Sequence, residues 1–426
     1  MIKNFFCNRK SANIITTGLL VLFTYAMVSC SNKKDAHALH VIPVASTVGN
    51  YNLLNLSKYA TEIRYIPLET NDSTLISGIR QIFYENGKIL LLDQIPLSYT
   101  FTCFLFDNNG KFYRKIGQPG QGPDDYNNLR QVFMHENFIY LKDYFKVLIY
   151  DTNGNLVEKI NLRSNEFPQQ YRSFFEILPL KKDTFVMNVA SMKGYYPKAI
   201  LFEKYQSDIK IIKEYPNYVK LDKLHDFYST DELGIMYRFK DDVRIYKVFN
   251  DTIFTIGQNT EMKDAFIFEL GKYKPTLSFM EGKETPWNDA RKKYIIPMAV
   301  CESLNHLFIN FNFGNQALEP VESIGNQGGK YSDTRVYGIF DKLTGEFTLM
   351  KQPIKGKFGF KNDIDTGPVF WPKNISSDNE SVTYISAKEF LDYYDKIEKP
   401  TPQMTEIAKR ISPDDNPIVI IAKLKK

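Results

Sequence analysis

Cysteine, tryptophan and histidine are all scarce in this chain of 426 residues, which holds four Cys, two Trp and five His. No Cys-x-x-Cys pair occurs, so neither a zinc ribbon nor a dithiol redox motif is supported. The histidines, at positions 37, 40, 135, 225 and 306, lack metal-ligand spacing, and no metal or other cofactor is expected. Gly-x-Ser-x-Gly is absent, which weakens a hydrolase built on a nucleophile elbow. The net charge of +5 is spread along the chain with no basic run longer than three residues, and nucleic acid is not an expected partner.

Long apolar runs are also missing, except at the N-terminus. Lys3, Arg9 and Lys10 precede a largely apolar stretch over residues 14–28, interrupted by Thr16, Thr17, Gly18 and Thr24. A membrane-spanning helix needs about 20 apolar residues. This run is shorter and leads straight into Met27-Val28-Ser29-Cys30, the order of a secretory signal ending at a lipidated cysteine. Residues 1–29 are read as the signal peptide and Cys30 as the acylated first residue of the mature chain. Residues 30–56 then form a tether, and residues 57–426 the fold. The expected location is the bacterial outer membrane, lipid-anchored on the periplasmic side or the cell surface. Cys103 and Cys301 are left in the fold, read as two separate buried thiols.

What the sequence does have is aromatic residues and repetition. With 32 Phe and 27 Tyr it leans toward strands. Residues 104–116 are echoed 44 positions later by residues 148–160: an apolar approach to Asp107 or Asp151, a polar corner with Gly110 or Gly154, and an apolar exit. Each reads as a β-hairpin. A third copy over residues 337–349 carries one extra residue between Asp341 and Gly345. Short strands precede the first two hairpins at residues 88–93 and 137–143, and residues 129–134 supply a fourth, giving a four-stranded unit of about 45 residues, the size of a propeller blade. The expected fold is all-β, a six-bladed β-propeller. Residues 387–397 and 403–411 show helical spacing and predict two short helices, separated by Pro400-Thr401-Pro402, before an apolar closing strand at 418–424.

Several stretches resemble exported six-bladed β-propeller lipoproteins, related in architecture to NHL-repeat propellers and abundant in gut-type Gram-negative bacteria. Residues 62–70 look like the opening strand of that family. Residues 114–126 resemble its inter-blade loop, residues 249–254 a middle-blade hairpin, and residues 415–420 its closing strand. The resemblance runs from about Ser57 to the C-terminus. It implies a fold and a location, and carries no catalytic residues with it.

The loop Gly117-x-x-Gly120-x-Gly122 lacks the Gly-Lys-Ser/Thr ending of a phosphate cradle and reads as a crossing between blades. Residues 362–372 form the most unusual loop, concentrating Asp363, Asp365 and Trp371 among glycine and prolines. It reads first as a packed blade corner. Its functional alternative is a carbohydrate platform, in which Trp371, Trp287, Tyr195 and Tyr196 stack on sugar faces and Asp363 and Asp365 accept hydrogen bonds. The first functional expectation is thus a non-enzymatic propeller binding a glycan, peptide or protein. The second is a lyase or hydrolase assembled in the channel, with His306, Arg130 and Arg238 as candidates to cluster with carboxylates. Metabolic labelling with an alkyne fatty acid should mark the wild-type chain and leave Cys30→Ser unmarked; equal labelling of both refutes the anchor.

Overall fold

The apolar runs of this chain are short, set in apolar-rich segments of mostly five to eight residues broken by polar turns, a length that strands fill and helices do not. In the computed structural model, which describes residues 39–426 apart from 97, 99, 164–174, 190–196, 206–207, 219–233, 248–249 and 325–328, these runs form six antiparallel sheets. Blade 1 comprises Ile79–Glu85, Lys88–Gln94, Phe101–Asp107 and Phe112–Lys115. Blade 2 comprises Gln131–His135, Phe138–Lys142, Lys146–Asp151 and Leu156–Asn161. Blade 3 is Phe175–Lys181, Thr184–Val189, Ala199–Tyr205 and Asp208–Tyr215; blade 4 is Ile235–Phe239, Asp242–Tyr246, Thr252–Ile256 and Met262–Phe268. Blade 5 is Ile296–Glu302, His306–Asn312, Arg335–Asp341 and Phe347–Met350.

Blade 6 draws on both ends of the chain. Asn374–Ile375, Glu380–Ile385 and Ile418–Leu424 provide its inner strands, and Ala60–Pro67 lies outermost, paired antiparallel from Ile418↔Pro67 to Leu424↔Ala60. The six-bladed propeller expected from the repeats is therefore the observed fold. Both expected helices are present, as Ala387–Tyr394 and Pro402–Ala408, ahead of the terminal strand. Each starts where its sequence supplies a cap: the Ser386 hydroxyl accepts from the Glu389 N–H, and that of Thr401 from the Met404 N–H.

Residues 1–38, with Cys30, lie outside the described part. Residues 40–52, placed in the tether by sequence, carry structure of their own. His40–Ile42 adds a parallel strand to the outside of blade 4, Val44–Thr47 makes one helical turn, and Tyr51–Asn52 adds a parallel strand to blade 5. The reason is local: Ile42 and Val44 are fully buried, and the His40 ring stacks on Phe266 at 5.3 Å.

The hairpin repeat has a plain cause. Asp107 Oδ1 accepts from the Asn109 and Lys111 N–H groups at 2.8 and 2.9 Å, and Asp151 Oδ1 from Asn153 and Asn155 at 2.9 and 2.8 Å. Asp341 Oδ1 accepts from Leu343 and Thr344, so the extra residue is absorbed in the turn. Gly110 has φ of +79°, and a Cβ there would lie 2.1 Å from the Pro67 carbonyl oxygen, so blade 1's turn seats directly against the outer strand of blade 6.

Hydrophobic clusters fill the spaces between blades rather than one central core. One joins blades 6 and 1 (Ile82, Val382, Val419), one joins 1 and 2 (Leu90, Cys103, Leu141), and others continue through blades 2 to 4, 4 to 5 and 5 to 6. Cys103 and Cys301 are unbridged, in different blades, and burial pushes the Cys301 thiol up to about 12. Polar clasps repeat as well: Gln81 Oε1 accepts from the Val132 N–H at 2.9 Å, and Gln131 Oε1 from the Ile177 N–H at 3.0 Å.

Between blades 4 and 5 sits a buried ion network. Glu302 receives Arg244 Nε at 3.1 Å and Lys342 Nζ at 3.1 Å, with both glutamate and arginine almost fully buried. Such a network contributes little against an apolar replacement of all its members, but breaking it strands a charge. Glu302→Ala should lower unfolding free energy by about 3–5 kcal/mol in urea titrations, and Glu302→Ala combined with Arg244→Met by much less; equal losses would contradict the assignment.

Candidate functional site

In an antiparallel meander successive strands reverse direction, so connections alternate between two rims of the ring. On one rim all eleven connections are turns of two to five residues. On the other, nine of twelve run from nine to thirty-two residues and carry both C-terminal helices and the hairpin Val321–Ile324 with Lys330–Asp333. The short-turn rim is built for economy: Asn86, Glu136, Asp183, Lys240 and Asn379 take left-handed φ between +50° and +65° where the first strand of a blade turns into the second. The opposite rim, the loop face, holds nearly all chain not needed to make blades.

Trp371, Asp363 and Asp365 occur in the loop-face connection between blades 5 and 6. The Trp371 ring lies 4.3 Å from Tyr337, 5.6 Å from Phe360 and 5.8 Å from Phe308, centroid to centroid. Asp363 accepts from the Ser57 N–H at 2.9 Å and from its hydroxyl at 2.6 Å. Asp365 accepts from Tyr65 Oη, Asn362 Nδ2 and the Gly367 N–H, and burial pushes its carboxyl up despite those bonds. Both carboxylates thus staple the loop to the N-terminal segment, and the tryptophan is wedged into an aromatic cluster. The packed-corner reading describes this loop. Beside the cluster a shallow cleft, open to solvent, is lined by Tyr51, Glu319, Arg335, Tyr337, Lys351 and Phe358. Arg335 spans it, with its guanidinium 4.8 Å from the Phe358 ring and paired to Asp333.

The other platform residues are not brought to that cleft by anything described. Trp287 begins the short helix Trp287–Arg291 in the connection from blade 4 to blade 5, and its side chain is not among those described. Tyr195 and Tyr196 lie outside the described residues, in the stretch between the second and third strands of blade 3.

His306, Arg130 and Arg238 fall in three separate places. His306 stands edge-on to Tyr59 at 5.1 Å and 3.9 Å from Asp341, on the short-turn side of blade 5. Arg130 precedes the inner strand of blade 2 on the loop face, its guanidinium 4.5 Å from the Tyr144 ring. Arg238 ends the inner strand of blade 4 on the short-turn side, donating to the Pro179 carbonyl, with His135 and Asp241 close enough to feel its charge. Among the described residues no group of three His, Cys, Asp or Glu side chains could hold a metal ion.

One set of charged groups on the loop face was invisible in the sequence because its members come from separate blades. Lys142, Glu176, Asn188, Lys198 and Lys247 follow one another around the ends of blades 2, 3 and 4. Lys247 Nζ donates to Asn188 Oδ1 and to the Val189 carbonyl at 2.6 Å, and Asn188 Nδ2 reaches Glu176 at 3.5 Å. Burial lowers Lys142 and Lys247 to about 7 and Lys198 to about 8. No spacing rule finds such a group. The Gln81 and Gln131 clasps, by contrast, had a signal: both stand in an Arg-Gln-aliphatic-Phe string, at residues 80–83 and 130–133.

A family model described as a domain of unknown function, DUF4934, matches residues 39–423. Among solved structures, a Bacteroides fragilis protein thought to be exported aligns with a TM-score of 0.65 at 20% identity, over 91% of this chain and 100% of that one. A member of the DUF4221 family from Bacteroides vulgatus aligns with a TM-score of 0.50 at 12% identity, over 86% of this chain and 97% of that one. No curated protein matches. At these identities the likeness shows the shared propeller fold.

The short-turn side yields a pH test. Burial, with the Arg238 charge second, holds His135 down at about 4, so the fold favours its neutral form. The unfolded chain binds the extra proton between about 6.5 and 4, and stability from this group is present above that window and is lost as pH falls through it. His135→Gln should retain up to about 3 kcal/mol more of its pH 7 stability at pH 4 than wild type does, as measured by urea midpoints; parallel pH profiles would exclude the assignment.

Proposed function

The chain belongs to the DUF4934 family, and from that premise we propose that it is a lipid-anchored, extracytoplasmic propeller whose loop face binds a ligand without transforming it. The observation that carries this reading is the asymmetry of the ring. Eleven tight turns close one rim, while long connections from every blade accumulate on the other. Loops cost stability unless they pack or act, and propellers assemble sites from such loops without a local motif.

The anchor half of the proposal rests on the basic, apolar and cysteine order ending at Cys30, and is supported by a structural neighbour thought to be exported. The binding half takes a glycan as its first candidate and a peptide or protein partner as alternatives. Tyr337 and Phe358 line the cleft 5.5 Å apart, with Trp371 packed on Tyr337 and the Arg335 guanidinium over Phe358, and Arg335 and Glu319 add polar groups. Flat apolar surface with a few polar groups is what sugar recognition uses. Trp371 acts here by holding the Tyr337 ring; Asp363 and Asp365 belong to the same connection, and Trp287, Tyr195 and Tyr196 to other loop-face connections.

The test is a glycan array and an envelope pull-down with the mature chain, run beside Tyr337→Ala and Trp371→Ala variants that retain wild-type circular dichroism. A ligand whose capture drops at least about tenfold in both variants, roughly the loss of one aromatic contact, is expected. Absence of any ligand that depends on these residues would end the cleft reading.

A further inference from the structure

Blade 5 carries an insertion on the loop face that belongs to no blade. Between its second and third strands, Val321–Ile324 and Lys330–Asp333 pair antiparallel with each other, in the register Val321↔Asp333, Ser323↔Tyr331 and Ile324↔Lys330, and with no blade strand. A two-stranded ribbon is marginal in water without further support. Here the support lies at its roots. On one side Glu319 is fixed to Gln352, its carboxylate accepting from the Gln352 N–H at 2.9 Å and its carbonyl from Gln352 Nε2 at 2.7 Å. On the other, the Thr334 carbonyl accepts from the Phe313 N–H at 3.0 Å, and the buried Asp333 carboxylate accepts from Arg335 Nε at 2.8 and 2.9 Å. Between these roots, among the described residues, 321–324 and 330–332 make no hydrogen bond or ion pair to the rest of the molecule.

Both roots are walls of the cleft, because Glu319 and Arg335 line it. Strand alternation fixes which face of the ribbon is turned that way. Side chains two residues apart share one side of a strand, and directly opposed residues share it across the pair. Asp333 points to Arg335, so Tyr331, two positions earlier, lies on the cleft side together with Val321 and Ser323. Glu322, Ile324, Lys330 and Ser332 lie on the other side. Tyr331 is also among the groups whose charge acts on the Arg335 guanidinium. Its ring is 52% exposed, on the side where Tyr337 and Phe358, 5.5 Å apart, line the cleft. Covering such a ring is favourable, and a ribbon tied only at its ends can move to do so.

We propose that the ribbon is a clamp that swings on Glu319 and Arg335 and lays Tyr331 against a glycan seated on Tyr337 and Phe358. The clamp rests on the reading of this cleft as the binding site. It adds to that site a ligand-contacting residue, Tyr331, and a closing motion that slows release of whatever the cleft has taken.

Closure is tested without a ligand, in a mature chain with Cys30→Ser, which keeps the unbridged Cys103 and Cys301. Tyr331→Cys is combined with Lys351→Cys in the cleft lining and exposed to a mild oxidant, beside a chain combining Ile324→Cys, on the outer face of the ribbon, with Lys351→Cys. A disulfide needs the two Cβ atoms within about 4 Å, so the first pair should close at least about tenfold faster than the second. No disulfide in the first pair, or equal rates in both, overturns the clamp. Contact is tested on the glycan array: Tyr331→Ala should lower capture of a Tyr337-dependent glycan about fivefold or more, roughly one aromatic contact, while Ile324→Ala leaves it unchanged and both keep the wild-type melting temperature. Capture that needs Tyr337 but is unmoved in Tyr331→Ala overturns the clamp and leaves the cleft reading standing. An array with no Tyr337-dependent glycan removes the glycan reading of the cleft, and the clamp with it.

Discussion

The pairing of Ala60–Pro67 with Ile418–Leu424 is the contact on which the rest of the molecule depends. It joins segments roughly 350 residues apart, and closing a loop of that length costs on the order of 5 kcal/mol in chain entropy. No single strand pair offsets so much unless the contacts it completes also form. Here it completes two: the cluster between blades 5 and 6, and the one between blades 6 and 1. Closure therefore turns six sheets with exposed faces into a ring in which each face is covered by its neighbour.

Because each blade presents two apolar faces, specificity of order needs polar signals as well. The glutamine clasps supply two of them, fixing blade 1 on blade 2 and blade 2 on blade 3 through a backbone N–H that only the correct height can reach. Tyr384 does the same between blades 6 and 1, donating to the Ile79 carbonyl at 3.0 Å. The Arg244–Glu302–Lys342 network plays that part between blades 4 and 5, with charge in place of amide. Amide clasps at the first two junctions, a phenol at the closing one and an ion network between blades 4 and 5 together oppose assembly in the wrong sequence.

The architecture was legible wherever it repeats at short range. The Asp and Gly of the hairpins lie within four residues of each other and satisfy their own turn, so residues 104–116, 148–160 and 337–349 announce themselves. The two capped helices were equally local. The strands at 40–42 and 51–52 were not, since three- and two-residue segments are too short for any period and are stabilised only by the blades they lie against. The same reason hid the lysine group on the loop face: Lys142 and Lys247 belong to blades 2 and 4, and only the ring brings both near Glu176 of blade 3. Trp371 stood out because tryptophan is rare here, and its neighbours Tyr337, Phe360 and Phe308 could not be named without the fold.

The N-terminal arm lays its strands in series along the outside of blades 4, 5 and 6, three residues long, then two, then eight. Tension entering the chain at Leu39 is met by these attachments one after another, the two short ones before the long one. Peeling His40–Ile42 and then Tyr51–Asn52 would release slack while the closing strand stays seated, so a tug on the leading end is absorbed as added length before it can open the circle.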